Sequence, residues 1–222
     1  MLISPARVRV CAALVLLLSG SAGAQAPSNP SLNAQLLVGA RQGDLVQVER
    51  VLAQGAAPNS RNRLGKTARL IACEKGHAAL AETMLAAGAD VDQPSLEKVT
   101  PLMAASYAGH AAIVRRLLAA GAKTDALDRM GKPAIVYAAG QGHAEVLDAL
   151  IGSGVDVNAA YEHRLTALMW AAGQGHADAV ALLLARGAKP GLLDDRGLTA
   201  AGIARGAGHT RVAESLQALG VR

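Results

Sequence analysis

Gly-His recurs in this chain at a fixed interval, and that interval excludes most folds. Gly142-His143 is preceded by Gly109-His110, Gly76-His77 and Gly43-Asp44, and followed by Gly175-His176 and Gly208-His209, each step 33 residues. A second series, Gly55, Gly88, Gly121, Gly154, Gly187 and Gly220, keeps the same period. Two glycine series in constant register mean one unit repeated along the chain, so the core is built from stacked neighbours. Composition agrees. Hydrophobic residues make up 51% of the 222, yet aromatics only 2%, with no Phe. Ala and Leu dominate, which suits thin helical layers in close contact.

Each unit carries two helical patterns. His110 to Ala120 places Ile113, Val114, Leu117 and Leu118 on one face, the spacing of an amphipathic helix. A shorter helix precedes it, opened by Thr100-Pro101: Thr is a good N-cap and Pro suits the first turn. The second glycine of each unit ends the second helix in a left-handed conformation. A polar hairpin such as 89–99 leads to the next unit.

These residues resemble the ankyrin-repeat family, whose 33-residue units combine a β-turn with two antiparallel helices. Thr100-Pro101-Leu102 and Thr166-Ala167-Leu168 stand at the family's Thr-Pro-Leu-His motif. Ala104-Ala105, Ala138-Ala139 and Ala171-Ala172 occupy its small-residue layer, and Asp156-Val157-Asn158 its closing motif. The resemblance implies an all-α solenoid of about six helix-turn-helix units joined by β-hairpin loops. The expected boundaries are a cap over 32–61, repeats 62–94, 95–127, 128–160 and 161–193, and a C-terminal cap over 194–222, where Glu214 and Gln217 make the last helix polar.

Several positions depart from the family pattern. The motif histidine is replaced by Leu70, Met103, Val136, Met169 and Gly202, so apolar packing is expected to substitute for its polar network. Arg69 stands where a buried leucine belongs, which predicts local irregularity in that repeat. Pro133 replaces a threonine, and Lys98 and Arg164 replace turn glycines, so those loops are expected to differ in shape. Arg205 occupies a normally small position, but in the last repeat, whose outer face has no neighbour.

Residues 1–24 read as a signal peptide: a basic start with Arg7 and Arg9, a short apolar run over 10–18, and Ala22-Gly23-Ala24 before Gln25. The run is short for a membrane span; the alternative is an N-terminal membrane anchor. Residues 25–31 form a flexible leader. The expected location is periplasmic in a Gram-negative source, or secreted, with a cut after Ala24 and no stable membrane insertion afterwards. Cleavage removes two basic residues and no acidic one, so the formal charge falls from +5 to +3. That charge, without a basic stripe interleaved with aromatics, gives little support for nucleic-acid binding. Cys73 then remains as a single cysteine among apolar neighbours, which points to a buried, inert thiol.

The chemistry-bearing residues point away from catalysis. Five of the six histidines are the repeat histidines. Stacked helices lie about 8–10 Å apart, too far for equivalent imidazoles to share a metal. No Cys/His cluster compensates, so neither metal nor cofactor is expected. Each histidine begins a helix, where a neutral imidazole can accept a backbone N–H, as Asp44 does at the equivalent first position. The glycines of 140–145 follow a helix, not a strand, and lack the Lys-Ser/Thr of a phosphate loop. No Gly-x-Ser-x-Gly elbow is present, and turn chemistry accounts for Asp194-Asp195. An enzyme is not expected.

The resemblance places recognition on the concave side, at the hairpin tips and the exposed face of the first helix. Mapped by register, the candidates are Arg63 and Lys66; Leu96, Val99 and Tyr107; Arg129, Met130, Lys132 and Gln141; and Glu162, His163, Leu165 and Gln174. Leu64, Glu74, Lys75, Glu97, Arg196 and Leu198 share that side. Tyr, Arg and Met are enriched at interface centres. Tyr137 and Trp170 hold equivalent positions and are expected to pack together between repeats. The expected function is a monomeric, exported module that binds an unidentified protein, supporting or restraining a periplasmic enzyme or a toxin. An envelope spacer without a partner is the alternative.

Overall fold

The computed structural model describes residues 29–218. The signal peptide expected over 1–24, its cut after Ala24, and the leader up to residue 28 lie outside the described residues. Pro30 and Ser31, assigned above to the leader, instead open the first helix, because the Asn29 side chain accepts the Ser31 and Leu32 amides and caps it.

Among the described residues twelve α-helices form six antiparallel pairs: α1 (Pro30–Gln42) with α2 (Leu45–Ala53), α3 (Ala68–Lys75) with α4 (Ala78–Ala86), α5 (Pro101–Ala108) with α6 (Ala111–Ala119), α7 (Ala134–Gln141) with α8 (Ala144–Gly152), α9 (Ala167–Gly173) with α10 (Ala177–Ala185), and α11 (Ala200–Gly206) with α12 (Thr210–Gln217). First helices pack on first helices from α1 to α11, and second helices on second helices from α2 to α10. One apolar cluster runs the whole length, from Leu36 to Leu216. The expected β-hairpins are not strands. Among the described residues the connections are turns with one isolated bridge, Arg61 to Thr67, and a tip such as 62–66 spends its amides on its own side-chain acceptor.

The corner between paired helices explains the Gly-His series. Gly43, Gly76, Gly109, Gly142 and Gly175 are all left-handed, with φ between 75° and 81°. The imidazole of the next repeat lies against each of them. A Cβ at Gly109 would stand 2.6 Å from the His143 ring, and one at Gly175 would stand 2.5 Å from the His209 ring. Gly208, in the last repeat, has nothing within 4 Å. The expected capping role of the histidines is therefore corrected. None of His77, His110, His143, His176 or His209 makes a side-chain cap bond, whereas Asp44 accepts the Gln47 amide at 2.9 Å. The ring points back to the preceding repeat instead. His143 Nε2–H donates to the Tyr107 carbonyl and His176 Nε2–H to the Gly140 carbonyl, both at 3.0 Å. A carbonyl can only accept, so the proton sits on Nε2.

The substituted motif positions behave in different ways. Thr67, Thr100, Thr166 and Thr199 each accept the amide three residues on, while Pro133 leaves α7 without a side-chain cap. Leu70, Met103, Val136 and Met169 are buried, as apolar substitution requires. The two methionines do more: Met103 Sδ accepts the Thr100 amide at 3.4 Å and Met169 Sδ the Thr166 amide at 3.5 Å. A thioether, although a weak acceptor, thus closes a capping box.

Arg69 does not disturb α3, which runs unbroken from Ala68 to Lys75. It is fully buried and donates one bond, NH1 to the Ala89 carbonyl at 3.2 Å, leaving Nε and NH2 without partners. Burial lowers its pKa, opposed by Cys73, Asp90 and Asp92. Cys73 beside it is buried, and burial pushes its thiol up to about 12. A buried charge with orphaned donors is costly, and well-packed apolar replacements are neutral or better. Arg69→Leu is expected to raise stability by about 1–4 kcal/mol, read as the urea midpoint; an unchanged or lower midpoint would show that the guanidinium earns its place.

The corner yields a second prediction. Alanine at either Gly109 or Gly121 meets a left-handed backbone, a cost of about 1–2 kcal/mol. Only Gly109 also meets an imidazole, since nothing lies within 4 Å of a Cβ at Gly121. Thermal melts should show the larger loss for Gly109→Ala, and equal losses would remove the ring contact from the account.

Candidate functional site

Five loop tips project on the side of the first helices: residues 62–66, 95–99, 128–132, 161–165 and 194–198. Each is closed by the same bond, from the first residue's N–H to the fifth residue's carbonyl, between 2.9 and 3.2 Å. The fourth residue is left-handed in all five: Gly65, Lys98, Gly131, Arg164 and Gly197, with φ from 57° to 75°. Lys98 and Arg164 both keep the glycine conformation, and of their two loops the one at 161–165 takes the expected different shape.

Acceptors at the first tip position organise the turns. Asn62 Oδ1 takes the Leu64 and Lys66 amides, Asp128 Oδ1 those of Met130 and Lys132, and Asp194 Oδ1 those of Arg196 and Leu198, all within 3.0 Å. Ser95 Oγ accepts the Val99 amide. Asp194 follows the turn chemistry expected of it. Burial works against its charge, but the Leu198 amide, then Arg196, hold its carboxyl below the ordinary value. Tyr161 has no short acceptor. There the tip tightens into a 3-10 turn, Glu162–Arg164, and His163 also becomes left-handed, with φ 56°.

Neighbouring tips are joined by single backbone bonds: Leu96 N–H to the Leu64 carbonyl, Arg129 to Glu97, and Asp195 to His163. Among the described residues the corresponding bond from Glu162 to Met130 does not form. The tips separate at that point. A Cβ on Gly65 would meet the Leu96 nitrogen at 2.7 Å, while one on Gly131 would find Glu162 no nearer than 3.9 Å. A cavity of about 300 Å³ opens in the gap, with Met130, Lys132, Glu162, His163 and Leu165 among its lining residues.

A larger cavity, about 610 Å³, lies between the first and second tips. Lys66, Leu96, Val99 and Tyr107 line it, together with Leu64, Leu70, Met103 and Tyr137. A third hollow, about 190 Å³, brings Tyr107, Lys132, Gln141 and Gln174 together beside Gly140 of α7 and Trp170 of α9. Arg63 and Arg129 are exposed on the tips outside these hollows. Lys66 is tied to Glu74 at 2.7 Å, and Arg129 approaches Glu97 at 3.6 Å. His163 is exposed, with Glu162 and Asp195 carboxylates at 3.8 and 3.7 Å.

The aromatic residues arrange themselves differently from the expectation. Tyr137 meets Tyr107 edge-on, with ring centroids 5.9 Å apart, and its hydroxyl donates to Asp128 Oδ2. Trp170 instead carries Lys132 Nζ over its ring, 4.7 Å from the centroid. Register alone pairs Tyr137 with Trp170. Tyr107 has Gly140 at its equivalent position one repeat on, so register gives no sign of the partner that Tyr137 takes.

No three His, Cys, Asp or Glu side chains among the described residues gather as metal ligands would. No described helix is long and apolar enough to cross a membrane. The family profile for ankyrin repeats, three copies long, matches residues 36–128, 76–161, 118–194 and 135–221. No curated protein matches the chain.

Burial, and then the Asp128 carboxylate, raise the Tyr137 phenol above its ordinary value. Its neutral form is thus the one that the fold holds. The contribution is complete below the unfolded phenol value of about 10 and is lost as pH rises through the folded value. Melts between about pH 9 and about pH 11 should show wild type losing more stability than Tyr137→Phe; parallel curves would contradict this.

Proposed function

Because the chain belongs to the ankyrin-repeat family, we propose that it binds another protein through the face formed by its loop tips and first helices. Ankyrin repeats serve protein–protein interaction, and the scaffold is typically non-catalytic. The observation that carries the reading is the hollow of about 610 Å³ on that face, into which the exposed Leu64, Leu96 and Tyr107 converge. Ligand pockets fall in this size range. Exposed apolar side chains gathered on one hollow, unlike scattered ones, mark an interaction surface.

The opposite face has another character. Second helices are tied across repeats by exposed ion pairs, Arg116 with Glu82, Arg115 with Glu145, and Arg186 with Asp148. Such exposed pairs contribute little stability. The proposal extends to delivery: residues 1–24 act as a cleaved export signal, and the mature chain supports or restrains an enzyme or toxin outside the cytoplasm.

Purified array should capture a partner selectively from the exported fraction. Tyr107→Ala with Arg129→Glu is expected to lower capture by about tenfold or more while the helical circular dichroism stays unchanged. Equal capture by both proteins would sink the proposed face, and no selective capture would favour a spacer. Delivery is checked separately by N-terminal sequencing of the exported chain, which should begin at Gln25; a start at Met1 would refute cleavage.

A further inference from the structure

The hollow between the first and second tips has a rim whose charges are unevenly used. Its floor is apolar, with Leu70 and Met103 each 1% exposed. Its walls are Leu64, Leu96, Val99 and Tyr107. Two carboxylates stand on the rim, and each already faces a cation of this chain: Glu74 pairs with Lys66 at 2.7 Å and Glu97 with Arg129 at 3.6 Å. A third, Asp128, is buried behind the rim and spent on the Met130 and Lys132 amides and the Tyr137 hydroxyl. What remains is positive. Arg63, Lys75 and Lys98 are exposed, adjoin Leu64, Glu74 and Glu97, and make no ion pair among the described residues.

We propose that the occupant of this hollow is an acidic segment of another protein. It inserts large apolar side chains over Leu70 and Met103 and sets Asp or Glu against Arg63, Lys75 and Lys98. The inference rests on the protein-binding reading of this face and adds the chemistry of the partner. Apolar burial supplies the affinity, and the unmatched cations select the sign of the charge and steer the encounter. A basic segment would meet unpaired cations and no free carboxylate. A second copy of this chain, itself at a formal +5, or +3 after cleavage, would be repelled. A nucleic acid would satisfy the cations but leave Leu64 and Leu96 in water.

The test is selection of short random peptides displayed on phage against the full chain, followed by affinity measurement on the recovered peptides. The recovered pool should be enriched in Asp and Glu beside Leu, Ile, Phe or Trp. Leu96→Asp should weaken binding by about tenfold or more. Arg63→Glu with Lys75→Glu, and a rise from about 0.05 to about 0.5 M salt, should each weaken it by about three- to tenfold. Arg115→Glu on the second-helix face should change nothing. Peptides without acidic enrichment that still lose binding on Leu96→Asp would overturn the charge assignment and leave the face intact as a binding site. Peptides indifferent to Leu96→Asp, or no recovered peptide, would count against the hollow and the face together. Light scattering that shows a dimer dissolved by Leu96→Asp would put a second copy there instead. A single-stranded oligonucleotide bound more tightly than any recovered peptide would also overturn the assignment.

Discussion

The stack rests on one contact, an imidazole laid against a bare left-handed glycine of the preceding repeat. Gly109 ends α5, and the absence of its Cβ is what gives the His143 ring its place. The same ring then donates Nε2–H to the Tyr107 carbonyl, one of the carbonyls that a helix end leaves without a partner. One residue pair thus terminates a helix, satisfies an orphaned acceptor and sets the distance between repeats. At Gly208, in the last described repeat, no described atom lies within 4 Å of the equivalent position.

That spacing decides how the tips meet. With first helices held at a constant interval, a single N–H reaches the neighbouring tip's carbonyl, as Leu96 reaches Leu64. The tips hold their own shape through an oxygen at their first residue, which Asn62, Ser95, Asp128 and Asp194 provide. Tyr161 does not, and the row of tip-to-tip bonds breaks at that junction. The surface is therefore two shorter ledges, one across the tips of 62–66, 95–99 and 128–132, the other across those of 161–165 and 194–198. The larger hollow belongs to the first ledge.

The chain keeps its polar chemistry occupied within itself. Repeat histidines brace the stack, buried carboxylates hold turns, and Cys73 is enclosed with its thiol raised to about 12. Such groups are committed to structure. The free groups are apolar side chains and cations around a hollow, a combination suited to recognition rather than bond-making. Arg69 is the exception to good housekeeping, a buried guanidinium with two unpartnered nitrogens in an otherwise regular helix.

The sequence by itself determined the repeat, its period, the positions of both helices in each unit and the residues that end them. Those properties are local: a glycine that must be left-handed, a threonine that caps, an apolar stripe at helical spacing. It also determined which residues share the side of the loop tips and first helices, since register maps one repeat onto the next. What only the tertiary structure decided lies between repeats. His143 was legible as the residue that starts α8, but its ring's choice of the Tyr107 carbonyl over its own helix depends on a neighbour 36 residues away. Tyr107 and Tyr137 form their pair across neighbouring repeats from positions that are not equivalent, and Lys132 turns to Trp170. A period assigns each residue a place in its own unit; side-chain directions across the gap are settled by packing, where equivalent positions carry different volumes and so cannot be equivalent.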